Sequence, residues 1–123
     1  RTIRAENNTS LSIPDFDPKG VTSVISISEA GLVRSIEVRV EVEHSYLGDV
    51  DVHLIAPNND KVLLQGRTLG RETNLGTSYS LQTTPLLRRF LNLPVSGDWQ
   101  LVVIDNARFD KGTLKRWELL LGV

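Results

Sequence analysis

Apolar and polar residues alternate with a period of two along much of the chain. Ile36, Val38, Val40 and Val42 take turns with Glu37, Arg39, Glu41 and Glu43, which predicts a strand with one dry and one wet face. The wet row mixes both signs of charge, a pattern that favours cross-strand pairing and discourages edge aggregation. Val50, Val52 and Leu54 alternate with Asp49, Asp51 and His53, predicting a second strand with His53 on its polar side. Pro57-Asn58-Asn59-Asp60 supplies a turn and Val62-Leu63-Leu64 leads back, so a hairpin is expected there. Residues 99–104 are apolar on both faces, Trp99, Leu101 and Val103 on one and Val102 and Ile104 on the other, as in a strand covered on two sides. The last strand is expected over residues 113–121, with Trp117, Leu119 and Leu121 facing one way. Weaker strand signals lie at 24–27 and 77–81, and Ser12-Ile13-Pro14 reads as an edge piece where proline is tolerated.

Helical signal is thin. Leu86/Phe90 and Leu87/Leu91 stand four apart just after Pro85, which predicts one or two helical turns. Residues 66–76 read as a loop. Residues 1–11 are polar and read as a frayed lead-in or linker remnant, leaving 12–123 as the domain. Many short strands separated by turns predict an all-β jelly-roll β-sandwich of two mainly antiparallel sheets with little helix. Ile36, Val38, Val40, Val52, Leu54, Leu101, Val103, Trp117 and Leu119 are the expected filling between the sheets.

The length of 123 residues suits one domain with a genuine core. The absence of cysteine excludes a disulfide scaffold, a thiolate metal site and a cysteine nucleophile. The net charge of −1 lacks the basic surplus of a nucleic-acid binder. No apolar run is long enough to cross a bilayer, so membrane insertion is not expected. The chain opens at Arg1 without methionine and reads as a piece of a longer polypeptide. Residues 1–60 hold five Lys/Arg against ten Asp/Glu, and residues 61–123 nine against five. The simplest expectation is that strands from the two halves interleave and these charges pair.

The only histidines, His44 and His53, neighbour no nucleophile signature, so no catalytic residue is assigned and no enzyme activity is expected of the chain itself. Both read as strand-end or surface histidines, placed to face each other across a sheet. Asp105-Asn106-Ala107-Arg108-Phe109-Asp110-Lys111-Gly112 places two carboxylates and an amide in one turn. Calcium takes six to eight oxygen ligands, so Asp105 and Asp110, with Asp49 and Asp51, are the candidate calcium ligands; turn-forming Asp and Asn are the alternative use of these residues. Arg88-Arg89 reads as a solvated pair. Trp99 and Trp117 sit in apolar alternation and are expected in the core rather than on a sugar-binding platform. Tyr46 and Tyr79 are expected on the surface.

Two blocks carry a family resemblance. His44-Ser45-Tyr46-Leu47-Gly48-Asp49-Val50-Asp51-Val52-His53-Leu54-Ile55-Ala56-Pro57 resembles the signature of the P domain, or homo B domain, of kexin- and furin-like convertases. Pro85-Leu86, Phe90, Gly97-Asp98-Trp99-Gln100-Leu101-Val102-Val103, Asp105, Gly112-Thr113-Leu114, Trp117 and Leu119 resemble its second block. His44, Gly48, Asp49, Pro57, Gly97, Trp99, Asp105, Gly112 and Trp117 are thus its structural signature, and the cysteine-free second block is more like a bacterial member. The resemblance implies a jelly-roll module C-terminal to a subtilisin-like serine peptidase domain, without the triad, secreted or cell-surface, packing on and stabilising the catalytic domain of the same polypeptide and modulating its calcium and pH behaviour. Arg108-Phe109 departs from the small polar turn of the family, against a tightly closed metal loop. A free-standing calcium-dependent carbohydrate-binding or adhesion module is the alternative, since a jelly roll does not settle function.

Overall fold

The computed structural model describes residues 1–123. Nine strands follow in order: β1 (Thr2–Asn7), β2 (Leu11–Ile13), β3 (Val21–Ile27), β4 (Ser35–His44), β5 (Val50–Ile55), β6 (Lys61–Gln65), β7 (Asn74–Ser80), β8 (Gly97–Asp105) and β9 (Gly112–Gly122). One sheet has the order β1-β9-β4-β7, with β2 also on β9, and the other β3-β8-β5-β6. Every pairing is antiparallel. This is the all-β sandwich expected from the alternation. Six of the eight connections cross from one sheet to the other; β5 and β6 form the one hairpin of adjacent strands.

The inward rows of β4, β5, β8 and β9 meet in the core. Val38, Val52, Leu54, Trp99, Leu101, Trp117 and Leu119 are all wholly buried. A bulge keeps one long strand in register with that core. Glu41 faces Arg116 and Val42 faces Leu114, which leaves Lys115 as the extra residue. The extra residue turns Leu114 to the same side as Trp117, and both are buried.

Several expectations are corrected. Residues 2–7 are not a frayed lead-in: β1 pairs with β9 over Thr2 to Asn7, and Ile3 is buried. Its polar residues have partners, for Arg4 reaches Glu118 and Glu6 reaches Arg116. The 66–76 loop ends early, because Asn74, Leu75 and Gly76 already pair with Glu43, Val42 and Glu41 in β7. The turn after Pro85 is a 3-10 helix over Pro85–Phe90, so its buried residues, Leu87 and Phe90, stand three apart rather than four. The outer face of β8 has no further layer. Val102 is instead shielded by its flanking rows, with Thr22 on β3 and His53 on β5 opposite it.

Charges from the two halves pair as expected. On the outer face of the first sheet Arg116 bonds Glu6 and Glu41 at 2.8 and 3.1 Å, and Lys115 bonds Glu43 at 3.1 Å. Glu118 sits at the centre of this face with its side chain 2% exposed, held by Arg4 at 2.8 Å and Arg39 at 3.3 Å. It lies in an outward row, and only the two arginines from neighbouring strands close over it. Nothing in its local sequence marks it as buried.

Candidate functional site

His44 and His53 do not face each other, since β4 and β5 belong to different sheets. His53 is half-buried on the second sheet, and burial, then the Lys61 charge, lower its pKa against the opposing pull of Asp51. His44 is not a surface residue. It ends β4 with its side chain fully enclosed, as is that of Asp105 at the end of β8, and the two meet at 3.1 Å between Nε2 and Oδ2. The Tyr46 N–H donates to His44 Nδ1 at 3.0 Å. That bond puts the ring proton on Nε2, where it is donated to Asp105. The second Asp105 oxygen accepts the Ala107 N–H at 2.9 Å. The pair thus joins the two sheets at one end of the sandwich, with its hydrogen-bonding atoms engaged.

Two glycines shape this corner. A Cβ on Gly112 would stand 2.5 Å from His44 Cδ2, and one on Gly48 would stand 2.7 Å from the Gly70 carbonyl oxygen. At the opposite end of β8, Gly97 has φ +119° and a Cβ there would meet Pro57 at 2.7 Å. The β5–β6 turn therefore rests on the start of β8, which accounts for Pro57 and Gly97 together.

Asp49, in the 3-10 turn Leu47–Asp49 that leads into β5, lies beside the buried pair. Burial raises its carboxyl pKa, as do its hydrogen bond to Asp110 and the charges of Asp110 and Asp105. His44, Asp105 and Asp110 present ligand atoms within 4.8 Å of one another. Asp51, expected with them, is held elsewhere: Asn106 Nδ2 donates to its Oδ2 at 3.1 Å and to the Asp49 carbonyl at 3.0 Å. Ser45 Oγ donates to Asp110 at 3.1 Å and accepts the Lys111 N–H at 3.0 Å, so its hydroxyl is engaged away from His44. Asp15, which carried no signal in the sequence, accepts the Phe109 and Asp110 N–H groups at 3.2 and 3.1 Å. A cleft of about 720 Å³ opens beside this cluster, lined mostly by polar groups that include Asp15, Glu43, Ser45, Asn74 and Asp110.

The remaining aromatic candidates are structural. Trp99 and Trp117 are wholly buried, which removes the flat platform a sugar would stack on. Trp99 Nε1 donates to the Val95 carbonyl at 2.9 Å, and its ring meets Phe90 edge-on at 5.6 Å. Trp117 Nε1 donates to Ser23 Oγ at 2.9 Å, linking β9 to β3 across the core. Tyr79 is buried rather than exposed; its hydroxyl donates to Gln65 at 2.9 Å, and burial pushes its pKa up to about 12. Tyr46 is partly exposed, as expected. Of the arginine pair, Arg89 donates to the Lys61 carbonyl at 3.3 Å.

The model of the family described as "Proprotein convertase P-domain" matches residues 33–121. Among characterised relatives, "Leupeptin-inactivating enzyme 1" of Streptomyces exfoliatus is 28% identical over 116 residues, 93% of this chain and 25% of the relative. A "Calcium-dependent protease" of Trichormus variabilis is 32% identical over 101 residues, 80% of this chain and 15% of the relative. The chain therefore spans a quarter or less of the length of these relatives. In fold it is similar to the serine protease of Aeromonas sobria in complex with its chaperone, with a TM-score of 0.77 and 17% identity over 98% of this chain and 27% of that one.

Proposed function

This chain belongs to the proprotein convertase P-domain family, and from that premise we propose that it is the non-catalytic accessory domain of a secreted, subtilisin-like serine endopeptidase, packing on the catalytic domain of the same polypeptide and stabilising it. The observation that carries this reading is the use made of His44. The family's signature histidine and Asp105 are buried together and join the two sheets, while the hydroxyl next to it in the chain, Ser45, bonds Asp110 and Lys111. The best acid–base residues in the chain are committed to holding the sandwich together. Relatives named as proteases devote more than four-fifths of their length to something else, and that remainder is where peptide-bond chemistry belongs.

A tethered domain stabilises its neighbour by mass action. A contact whose effective concentration is about a thousand times its Kd contributes about 4.1 kcal/mol to the folded state of the partner. Secretion follows from the same reading.

Calcium is the cation we propose for this corner. Asp49, Asp105 and Asp110 offer hard oxygen donors, and the raised pKa of Asp49 reflects burial and carboxylate crowding that a cation would relieve. These three would hold it. Asp51, bonded by Asn106, stands outside the set. A bound cation would supply positive charge between the end of β8 and the turn before β5, tightening the join between the sheets.

The test is to express the parent polypeptide with and without residues 1–123. The expected result is a lower yield of soluble peptidase and faster thermal inactivation when the domain is missing. Equal yield and equal inactivation rates would overturn the stabilising role.

A further inference from the structure

Phe109 stands at the tip of the loop between β8 and β9 and is 92% exposed, and Phe16, on the loop between β2 and β3, is 48% exposed. Both lie in the left-handed region, at φ +71° and +46°, a conformation uncommon for a large side chain. The two loops are fastened together. The Asp15 carboxylate accepts the Phe109 and Asp110 N–H groups, and the Arg108 guanidinium lies 5.1 Å from the centre of the Phe16 ring. The core makes no use of Phe109, and a polar residue would serve this loop at least as well in water.

We infer that Phe16, Arg108 and Phe109 are the anchor by which this domain docks on the catalytic domain of its own polypeptide, with Phe109 entering an apolar pocket of that partner. The inference rests on the reading above and adds the docking face. Aromatic residues and arginine are the residue types that dominate interface energetics, and loops already fixed by Asp15 lose little freedom on docking. The surrounding charges are Asp15, Asp17, Asp110, Lys19, Arg108 and Lys111, three of each sign. Such a balanced rim suits a protein surface and lacks the basic cluster that draws a segment to anionic lipid. The occupant is a domain of the same chain because relatives carry this module beside a far longer remainder. Phe109 is also followed directly by Asp110, so anchor and carboxylate cluster share one loop.

The experiment uses the full parent polypeptide in three forms: unaltered, lacking residues 1–123, and carrying Phe16→Ser with Phe109→Ser. Thermal inactivation half-life is read together with hydrogen exchange. The double variant is expected to fall to the half-life of the deletion form, while β4, β8 and β9 keep their protection and residues 106–111 exchange faster; Phe16→Leu with Phe109→Leu restores most of the half-life. If deletion shortens the half-life and the double serine variant leaves it unchanged, the docking face lies elsewhere and only this inference falls. If deletion itself changes nothing, the inference falls with the stabilising role. If the serine variant keeps its half-life and instead loses self-association, or loses sedimentation with phosphatidylserine vesicles, the anchor serves a second copy or a lipid surface and the inference is overturned.

Discussion

At Asp49, burial and the carboxyls of Asp110 and Asp105 act in the same direction, raising its pKa. A group whose folded pKa lies above its unfolded value contributes stability below the unfolded pKa and loses that contribution as pH rises through the folded one. In chelator, the part of the stability governed by Asp49 is therefore expected to grow as the solution is acidified from neutral into the carboxylate range. Asp49→Asn is expected to raise the neutral-pH melting temperature in chelator and flatten that dependence. It is also expected to reduce the gain on adding calcium, which for the unaltered chain is about 2.7 kcal/mol at a hundred times Kd. Melting curves of both proteins across pH, with calcium and with chelator, check this; an equal calcium shift in the two would remove Asp49 from the site. At Trp99, full burial, the Phe90 contact and the bond to Val95 lead to an expected loss of about 3–5 kcal/mol on replacement by alanine. Chemical denaturation measures it, and an unchanged midpoint would contradict the packing. His44→Ala leaves the buried Asp105 carboxylate with the Ala107 N–H as its remaining donor, for an expected loss of about 1.5–3 kcal/mol, read in the same assay.

The strands of the middle of the chain were legible because their alternation is strong: β4, β5 and β8 each carry a complete apolar row. β1 was not, because Ile3 is its one large inward side chain and its identity as a strand depends on arginine and glutamate partners more than a hundred residues away. The same distance hid Glu118, which is buried by side chains from β1 and β4. Asp105 and Asp110 could be read locally as acids in a turn, but the enclosure of His44 by Asp105 arises only when β4 and β8 meet across the two sheets. The bond from Asn106 to the Asp51 carboxylate was equally hidden, because the two residues stand fifty-five apart in the chain. Removing residues 1–7 tests the role of β1. The loss of Ile3 burial alone is worth about 1.5–3 kcal/mol, and Arg4 leaves Glu118 with Arg39 as its remaining partner. A lower denaturation midpoint and increased aggregation through the uncovered β9 edge are expected; an unchanged midpoint would return these residues to the status of a lead-in.

At the scale of the whole molecule, the sandwich is wired by long-range contacts: six crossings between sheets, the His44–Asp105 join at one end, the Pro57–Gly97 contact at the other and Trp117–Ser23 through the middle. Such a body unfolds as a unit and suits a rigid support whose surface loops carry the contact with a neighbour. The proposed role is a thermodynamic coupling to that neighbour, which calorimetry reads directly. Scanning calorimetry of the parent polypeptide, set beside scans of its two parts, is expected to show the peptidase transition displaced upward when residues 1–123 are attached and returned to its lower temperature when they are removed. A scan of the parent that equals the superposition of the two separate parts would contradict the stabilising role.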